Sequence, residues 1–302
     1  MSTRIDDLEV TEVIDRDNIK VEHDGEEQSL QLTCVDTEES RPGSDKPVTR
    51  AGKEASEMAR EYFASDKGGL ARIDLEFDTD DSIDVCKVKH RDNYGRLLCY
   101  VHKGEENYNL KLVREGWSPY FVKYGRSRLY DALFIEAEAQ ANRSIVWDPD
   151  YNGVGQWRDY YRLVPWWWLR ASVVEDYRRL AHSDVLSVRL DYQRLVQLIN
   201  TDMFVTVLCD LQTGVKRWTG GAVVYAGSPQ HKFNLWIPER SEEMVPLITL
   251  IEKRYSGQEE KSYSGLGRGY VYVSGGITEY SNKPQIELTD ISQLSDVPPG
   301  SH

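Results

Sequence analysis

The same order of secondary-structure patterns occurs twice along this chain: three strands, one helix and two further strands. Strands are predicted where apolar residues alternate or cluster between turn residues, and helices where apolar residues recur at helical spacing. In the first half, the predicted strands are 8–14, 19–21, 28–36, 71–77 and 96–102, and the predicted helix is 52–63. In the second half, the predicted strands are 203–208, 220–225, 232–237, 269–274 and 283–288, and the predicted helix is 241–255.

This order predicts a fold class that is mainly β with α-helices. Three strands, a helix and two strands form the five-stranded Greek-key barrel of the OB fold. The first half therefore predicts an OB-fold barrel with two appended helices, 108–116 and 129–142, and the second half predicts a C-terminal OB fold. Because 302 residues suffice for two domains, we predict a first domain at 1–150, a helical linker at 151–184 and a second domain at 185–302.

Acidic residues outnumber basic ones, and the excess lies almost entirely in the first half. The chain has 50 Asp and Glu against 37 Lys and Arg, which gives a formal net charge of −13. Residues 1–150 hold 33 acidic and 21 basic residues, a net charge of −12. This sign argues against a protein whose main task is to coat polyanions, because such proteins carry a basic excess. Acidic clusters in the first half are instead candidate ligands for a hard cation.

The sequence predicts neither a membrane protein nor a secreted one. No apolar run approaches the ~18 residues that a membrane span needs, and the N-terminus MSTRIDDLEV lacks the basic and apolar regions of a signal peptide. The four cysteines form no C-x-x-C pair and are expected to be buried free thiols. We therefore expect a cytoplasmic protein with no membrane partner; a leader removed before the mature chain is the alternative.

Three polar segments of the first half carry residues that could form a phosphodiesterase site. Segment 15–18 holds two aspartates, segment 36–40 holds one aspartate and two glutamates, and segment 91–96 holds two arginines. Carboxylates from separate turns can bind Ca²⁺, and a further carboxylate can take a proton from water. A guanidinium group can bind a phosphate through two hydrogen bonds. Together these groups describe phosphodiester hydrolysis; solvated surface charge is the alternative.

Six segments of the first half form an ordered set of motifs. They are VIDRDNI (13–19), LQLTCVDTEES (30–40), AGKEAS (51–56), RDNYGRLLCYV (91–101), NLKLVREGW (109–117) and EAQANRSIVW (138–147). The set resembles the staphylococcal-nuclease (thermonuclease) family, in which these places hold patterns such as D-G-D-T, D-T-P-E and D-k-Y-G-R. The resemblance implies a Ca²⁺-dependent nuclease that hydrolyses the phosphodiester bonds of DNA and/or RNA.

The resemblance also implies a metal site and a general base. Asp17 and Asp36 match the carboxylate ligands of Ca²⁺, and Thr37 matches the residue that lends its backbone carbonyl. Glu39 matches the glutamate that activates the attacking water. Glu38 stands where the family has a proline, and we expect this change to loosen the turn that orients Glu39.

The phosphate-binding residues implied by the resemblance are incomplete. Arg96 matches the arginine that binds the scissile phosphate, and Tyr94 and Tyr124 fall where the family places tyrosines near the nucleotide. Gln31 stands where the family has its first arginine, so it can donate a hydrogen bond but supplies no charge. The alternative function is therefore a pseudonuclease that acts as a nucleic-acid-binding or protein-interaction scaffold, and Gln31 is the residue that discriminates between the two.

Aromatic residues of the linker and the second half have two possible roles, base stacking and internal packing. The closing segment GYVYVSGGITEYSNKPQIELTDISQL resembles the closing hairpin of nucleic-acid-binding OB domains. There Tyr270 and Tyr272 alternate onto one face of a predicted strand, and Trp236 lies on another. These rings, like the adjacent tryptophans 166–168, could stack on bases of single-stranded DNA or RNA, which is the favoured partner, or could pack in a core or between domains. No feature predicts the oligomeric state.

Overall fold

The computed structural model describes residues 2–15, 17–42, 46–65, 68–92, 94–153, 157–180, 185–211, 214–228, 230–256 and 268–299. The chain forms two compact units, Met1–Trp168 and Leu169–His302. Helix Tyr160–Leu180 begins in the first unit and ends in the second, so the segment predicted as a helical linker contributes residues to both. Within the described ranges, no helix is long and apolar enough to cross a membrane.

Five strands of the first unit close into a barrel, which confirms the predicted OB-type architecture. The strands of this sheet are β1 (Thr3–Asp15), β2 (Asn18–His23), β3 (Glu26–Leu32), β4 (Arg72–Phe77), β5 (Leu97–Lys103) and β6 (Glu106–Asn107). Hydrogen bonding follows the order β3-β2-β1-β4-β5-β6, and a parallel pairing of β3 with β5 closes the barrel. The core includes the fully buried Val21, Leu30 and Leu75.

Strand β3 is shorter than the alternation of its sequence predicts. The prediction extended this strand from 28 to 36, whereas it ends at Leu32. Cys34 has a φ of 64°, a left-handed conformation that is incompatible with a regular strand. The chain therefore turns before Asp36, and residues 36–40 form a loop beyond the end of the strand.

Six helices lie in or begin in the described part of the first unit. They are α1 (Arg50–Tyr62), α2 (Ile83–Lys89), α3 (Tyr108–Arg114), α4 (Asp131–Gln140), α5 (Pro149–Asn152) and α6 (Tyr160–Leu180). Helix α1 begins after Thr49, whose hydroxyl oxygen accepts the Gly52 N–H at 2.9 Å as an N-cap. Helix α2 was not predicted, because its apolar residues fall at 83, 85, 86 and 88 and do not follow helical spacing; only Cys86 among them is buried.

The described part of the second unit contains two sheets, two α-helices and a short 3-10 helix, Ile291–Gln293. Its strands are β7 (Val185–Ser187), β8 (Phe204–Asp210), β9 (Lys216–Trp218), β10 (Gly221–Tyr225), β11 (Asn234–Pro238), β12 (Tyr270–Gly276), β13 (Thr278–Glu279), β14 (Pro284–Glu287) and β15 (Leu294–Ser295). Its helices are α7 (Tyr192–Gln197) and α8 (Met244–Leu250), which continues as one π-helical turn, Ile251–Tyr255.

The strand pairing of the second unit does not test the predicted OB fold to the point of confirming it, so that fold stays a prediction. One sheet has the order β13-β14-β11-β10-β9, and the other has the order β15-β12-β8-β7. Buried side chains of both sheets form one hydrophobic core, which helix α8 covers in part. The parallel pairing of β11 with β14 repeats that of β3 with β5. Among the described residues, however, the two sheets share no ladder and do not form a closed barrel.

The aromatic residues that could have served as a stacking surface are mostly buried. Tyr270 and Tyr272 are 7% and 1% exposed and belong to a core cluster, so of the two uses left open for them the structure supports packing in a core. Trp166 and Trp167 are also buried, and the Trp167 ring lies 4.7 Å from that of Phe121. These side chains therefore stabilise the units in which they lie.

Candidate active site

The carboxylate of Asp36 has a cation on each of its oxygens. Its backbone N–H donates to Ser118 Oγ at 2.9 Å, which fixes the loop after β3. The Lys46 ammonium donates to Oδ1 at 2.5 Å, and Arg158 Nη1 donates to Oδ2 at 2.8 Å. Burial by itself would raise the pKa of Asp36, but the charges and hydrogen bonds of Lys46 and Arg158 outweigh it and hold the pKa well below its usual range. Asp36 is therefore ionised at neutral pH.

The Lys46 ammonium lies where the predicted metal-binding residues meet. It is 3.9 Å from Glu39 Oε1 in addition to its contact with Asp36. Burial lowers the pKa of Lys46, but the negative charges of Asp36 and Asp17 outweigh burial and raise it. Asp17 approaches the same loop, because the Thr37 backbone N–H lies 3.5 Å from its Oδ2. The structure thus brings Asp36 and Glu39 to one ammonium group, and it brings Asp17 to the loop that carries Thr37.

Helix α1 fixes the backbone of Glu39. The Thr49 N–H donates to the Glu39 carbonyl oxygen at 3.2 Å. A Cβ atom added to Gly52 would lie 2.0 Å from that same oxygen, far inside van der Waals contact. The start of α1 therefore packs directly on the backbone of the candidate base, and this close approach requires the glycine of the AGKEAS motif.

Glu38 is a buried anchor of the same loop. It is 4% exposed, and its Oε1 accepts a hydrogen bond from the Tyr160 hydroxyl. That hydroxyl oxygen in turn accepts the N–H of Arg158 Nη1 at 3.2 Å. Burial raises the pKa of Glu38 above its usual value. The presence of Glu38 in place of the family proline therefore does not leave the turn loose in the way we expected; it adds a link to Tyr160 at the start of α6.

Arg96 lies just before β5 and is held by a residue that the sequence analysis did not single out. Its Nε and Nη2 both lie 2.7 Å from Asp92 Oδ2. Asp92 Oδ1 accepts the backbone N–H groups of Tyr94 and Arg96 at 2.8 and 2.9 Å, which shapes the turn. The Tyr94 ring is 79% exposed and lies 5.4 Å from the Arg96 guanidinium. Arg96 and Tyr94 therefore form a pair at the surface.

Gln31 and Tyr124 occupy different surroundings. Gln31 lies on β3 between Asn18 of β2 and Leu98 of β5, and it is partly exposed because its neighbours on β3 take the inward-facing positions. Its partner Leu98 is the second residue of β5, and Arg96 lies just before that strand. Tyr124 is partly buried, and the Lys123 ammonium lies 5.4 Å from its ring.

Sequence reasoning missed three residues that contact the site: Lys46, Asp92 and Arg158. Asp92 could have been found, because an aspartate four residues before an arginine in a turn can bind it. Lys46 lies in a segment that reads as polar loop. Arg158 lies 122 positions from Asp36 in the sequence, so no local sequence pattern predicts their contact.

The donors gathered at Lys46 are of the type that a hard cation requires. Carboxylate oxygens and a backbone carbonyl are the ligands that Ca²⁺ prefers. The positive ammonium group that these donors hold is itself an observation in favour of a cation position. Within the described ranges, however, no three His, Cys, Asp or Glu side chains are grouped closely enough to hold a metal ion. The residues present therefore fit Ca²⁺ by donor chemistry, with Lys46 acting as an internal cation at Asp36.

Comparison with known proteins identifies the family. The thermonuclease of Staphylococcus hyicus is 38% identical over 136 residues, which cover 44% of this chain and 70% of that protein. The chain belongs to the staphylococcal nuclease family. A family model described as staphylococcal nuclease homologue matches residues 29–149. The thermonuclease of Staphylococcus intermedius is 32% identical over 142 residues, 46% of this chain and 74% of that protein. Endonuclease YncB of Bacillus subtilis is 32% identical over 139 residues, 44% of this chain and 58% of that protein.

The match to the family model covers part of the candidate site and leaves two of its residues outside. The match to the family model contains Asp36, Glu39 and Arg96 together with Lys46. Arg158 and Tyr160 lie beyond its last residue, 149. One of the two cations that hold Asp36 therefore comes from outside the part of the chain that defines the family.

The position of Lys46 predicts that it competes with a divalent cation. Lys46→Met removes the ammonium group from Asp36 Oδ1, and we expect the affinity for Ca²⁺ to rise about tenfold, which is about 1.4 kcal/mol. Isothermal titration of the substrate-free protein with Ca²⁺ measures this change. Lys53→Met, at an exposed position on α1, is the matched control and should leave the affinity unchanged. An affinity that does not rise in Lys46→Met contradicts the competition.

Proposed function

We propose that this chain is a Ca²⁺-dependent nuclease that hydrolyses phosphodiester bonds of DNA and/or RNA. The observation that carries the proposal is the placement of Asp36 and Glu39 at one partly buried ammonium group, with Asp17 at the same loop. Asp17, Asp36 and the carbonyl of Thr37 would hold Ca²⁺, which supplies positive charge next to the phosphate. Membership of a family that includes proteins named thermonuclease and endonuclease supports the same reaction.

In this proposal, each of the other residues has a defined task. Glu39 accepts the proton of the attacking water, because it is the carboxylate of the cluster that does not serve as a metal ligand. Arg96 donates hydrogen bonds to the scissile phosphate and neutralises the charge that develops on it. Asp92 keeps the Arg96 guanidinium in one orientation until the phosphate arrives. Tyr94, next to Arg96 and largely exposed, can donate its hydroxyl to the same phosphate.

Hydrolysis of denatured DNA tests the proposed function. The wild-type protein is incubated with denatured DNA or RNA in millimolar Ca²⁺ and, in parallel, in EGTA, and the release of acid-soluble nucleotides is measured. The proposal expects release in Ca²⁺ and none in EGTA. Absence of release in both would support the alternative function, a pseudonuclease scaffold, which is favoured by the Lys46 contact with Asp36 and by Gln31.

The missing arginine of the phosphate site predicts a gain of function. Gln31→Arg adds a guanidinium at the β3 position paired with Leu98, and the proposal expects it to restore charge and a bidentate hydrogen bond to the phosphate. We expect the Ca²⁺-dependent rate to increase at least tenfold, or about 1.4 kcal/mol of transition-state stabilisation. Single-turnover kinetics on single-stranded DNA measure the change.

Two controls define this gain in rate. Gln140→Arg adds the same charge at an exposed position of α4 and should leave the rate unchanged. The double variant Gln31→Arg with Glu39→Gln should lose the gain, because charge without a base cannot activate water. A folded Gln31→Arg protein that binds Ca²⁺ and gains no rate argues against Gln31 as the position of the missing phosphate ligand.

The second unit offers a surface that could assist in holding the substrate. All three residues of β9, Lys216, Arg217 and Trp218, are exposed, and β9 is the edge strand of its sheet. The cross-strand register puts Lys216 and Trp218 on the same face as Tyr225, and the Lys216 ammonium lies 4.9 Å from the Tyr225 ring. Exposed aromatic rings next to cationic side chains suit the bases and phosphates of single strands.

Trp218→Ala tests this surface in the full chain. Loss of one stacking ring typically costs about 1–3 kcal/mol per base, so the dissociation constant for a single-stranded oligonucleotide should rise roughly 5–150-fold. Fluorescence anisotropy in EDTA measures binding without cleavage. Phe204→Ala, an exposed aromatic on the other sheet, is the matched control. Equal affinities of the wild-type and Trp218→Ala proteins would show that Trp218 of β9 does not contribute to binding of the oligonucleotide.

A further inference from the structure

Arg158 is a buried arginine that contacts the candidate metal site from outside the family domain. It is 6% exposed, although it lies nine residues beyond the end of the family match at 149. Its Nη1 donates to Asp36 Oδ2 at 2.8 Å and to the Tyr160 hydroxyl at 3.2 Å. Its guanidinium carbon lies 5.2 Å from the Tyr160 ring and 5.8 Å from the Trp167 ring. Aromatic faces and a carboxylate together fix its plane.

The segment that carries Arg158 is itself firmly held. Trp157 Nε1 donates to the Val146 carbonyl oxygen at 2.9 Å. Tyr160 is fully buried, and its ring lies 5.8 Å from the ring of Trp147 and 5.9 Å from that of Trp167. Because these contacts lie on both sides of residue 158, they hold the backbone from which the guanidinium extends.

We propose that Arg158 is a positioning residue of the nuclease site: by holding Oδ2 of Asp36, it presents Oδ1 to the cation. This inference rests on the proposed function. A carboxylate whose second oxygen is bound to a fixed guanidinium offers one oxygen to a metal, in one orientation. Oδ1 is the oxygen that carries the Lys46 ammonium, so the cation position is already marked in the structure.

Tyr160 extends the same control to the next turn of the loop. Its hydroxyl donates to Glu38 and accepts from Arg158, so the two carboxylates on either side of Thr37 are tied to one short segment. Partners of this kind, which contact the ligands rather than the metal, typically change metal affinity or activity by 10–100-fold when they are mutated. Because Arg158 contacts a candidate metal ligand, we expect its substitution to lower the affinity for Ca²⁺ as well as the stability of the protein.

The test is calorimetric titration of the substrate-free full chain with Ca²⁺. Arg158→Met should weaken binding roughly 10–100-fold, and Arg158→Lys, which keeps the charge without the planar fork, should weaken it less. Arg179→Met, at a 70%-exposed arginine near the end of helix α6, is the matched control and should bind like the wild type. If Arg158→Met does not fold, Tyr160→Phe decides, because it keeps the ring and removes only the hydroxyl; it should weaken Ca²⁺ binding severalfold.

The outcomes separate this inference from the proposed function. A wild-type protein that binds Ca²⁺, together with folded Arg158→Met and Arg158→Lys proteins that bind it equally well, overturns the positioning role and leaves the nuclease proposal standing. A wild-type protein that binds no Ca²⁺ overturns both. A melting temperature that falls in Arg158→Met while the Ca²⁺ affinity stays at the wild-type value shows a structural role alone and also overturns the inference. Partial recovery of Ca²⁺ affinity in Arg158→Lys relative to Arg158→Met supports it.

Discussion

A buried carboxylate with a cation on each oxygen is the interaction on which the candidate site depends. Removing the charge of Asp36 from water is costly, and Lys46 and Arg158 offset that cost by direct ion pairs. The two cations come from different parts of the chain, the loop before α1 and the segment before α6. The site is therefore complete only when the closed barrel, helix α1 and the segment before α6 have all assembled.

This constraint also explains how positive charge is distributed. The family pattern places two arginines at the phosphate, and this chain keeps Arg96 and has Gln31 at the other position. Meanwhile Asp36 carries two cations of its own. One cation of the family pattern is therefore missing where the substrate would bind, while two cations contact a candidate ligand of the metal. The balance between Lys46 and Ca²⁺ at Asp36 is thus central to whether this site turns over.

Much of the fold follows from local sequence patterns, because periodicity reports which side chains are buried. The five barrel strands and α1 were predicted to within two residues, apart from the start of β1, which lies at Thr3 and not at residue 8, and the end of β3, where the left-handed backbone of Cys34 interrupts the alternation. The order of motifs also identified the family correctly. Helix α2 was not predicted because its apolar residues do not follow helical spacing. In the second unit, the alternation of Tyr270 and Tyr272 was seen, but alternation does not say which face is covered.

The candidate site was predicted less completely, since its partners are distant in sequence. Motif order predicts the positions of Asp17, Asp36, Thr37 and Glu39. The contacts of Asp36 and Glu39 with Lys46 are visible only in the structure. Arg158 and Tyr160 lie more than 100 residues from the carboxylates they contact, and such contacts leave no periodic signal.

A crystal structure of the wild-type protein with saturating Ca²⁺ and a nucleotide bisphosphate tests the account most directly. We expect Ca²⁺ at Oδ1 of Asp36, the Lys46 ammonium displaced from that oxygen, and Arg158 still bound to Oδ2. The nucleotide phosphate should contact Arg96. Ca²⁺ found away from Asp36, or Lys46 still bound to Oδ1 with the nucleotide in place, would contradict the account.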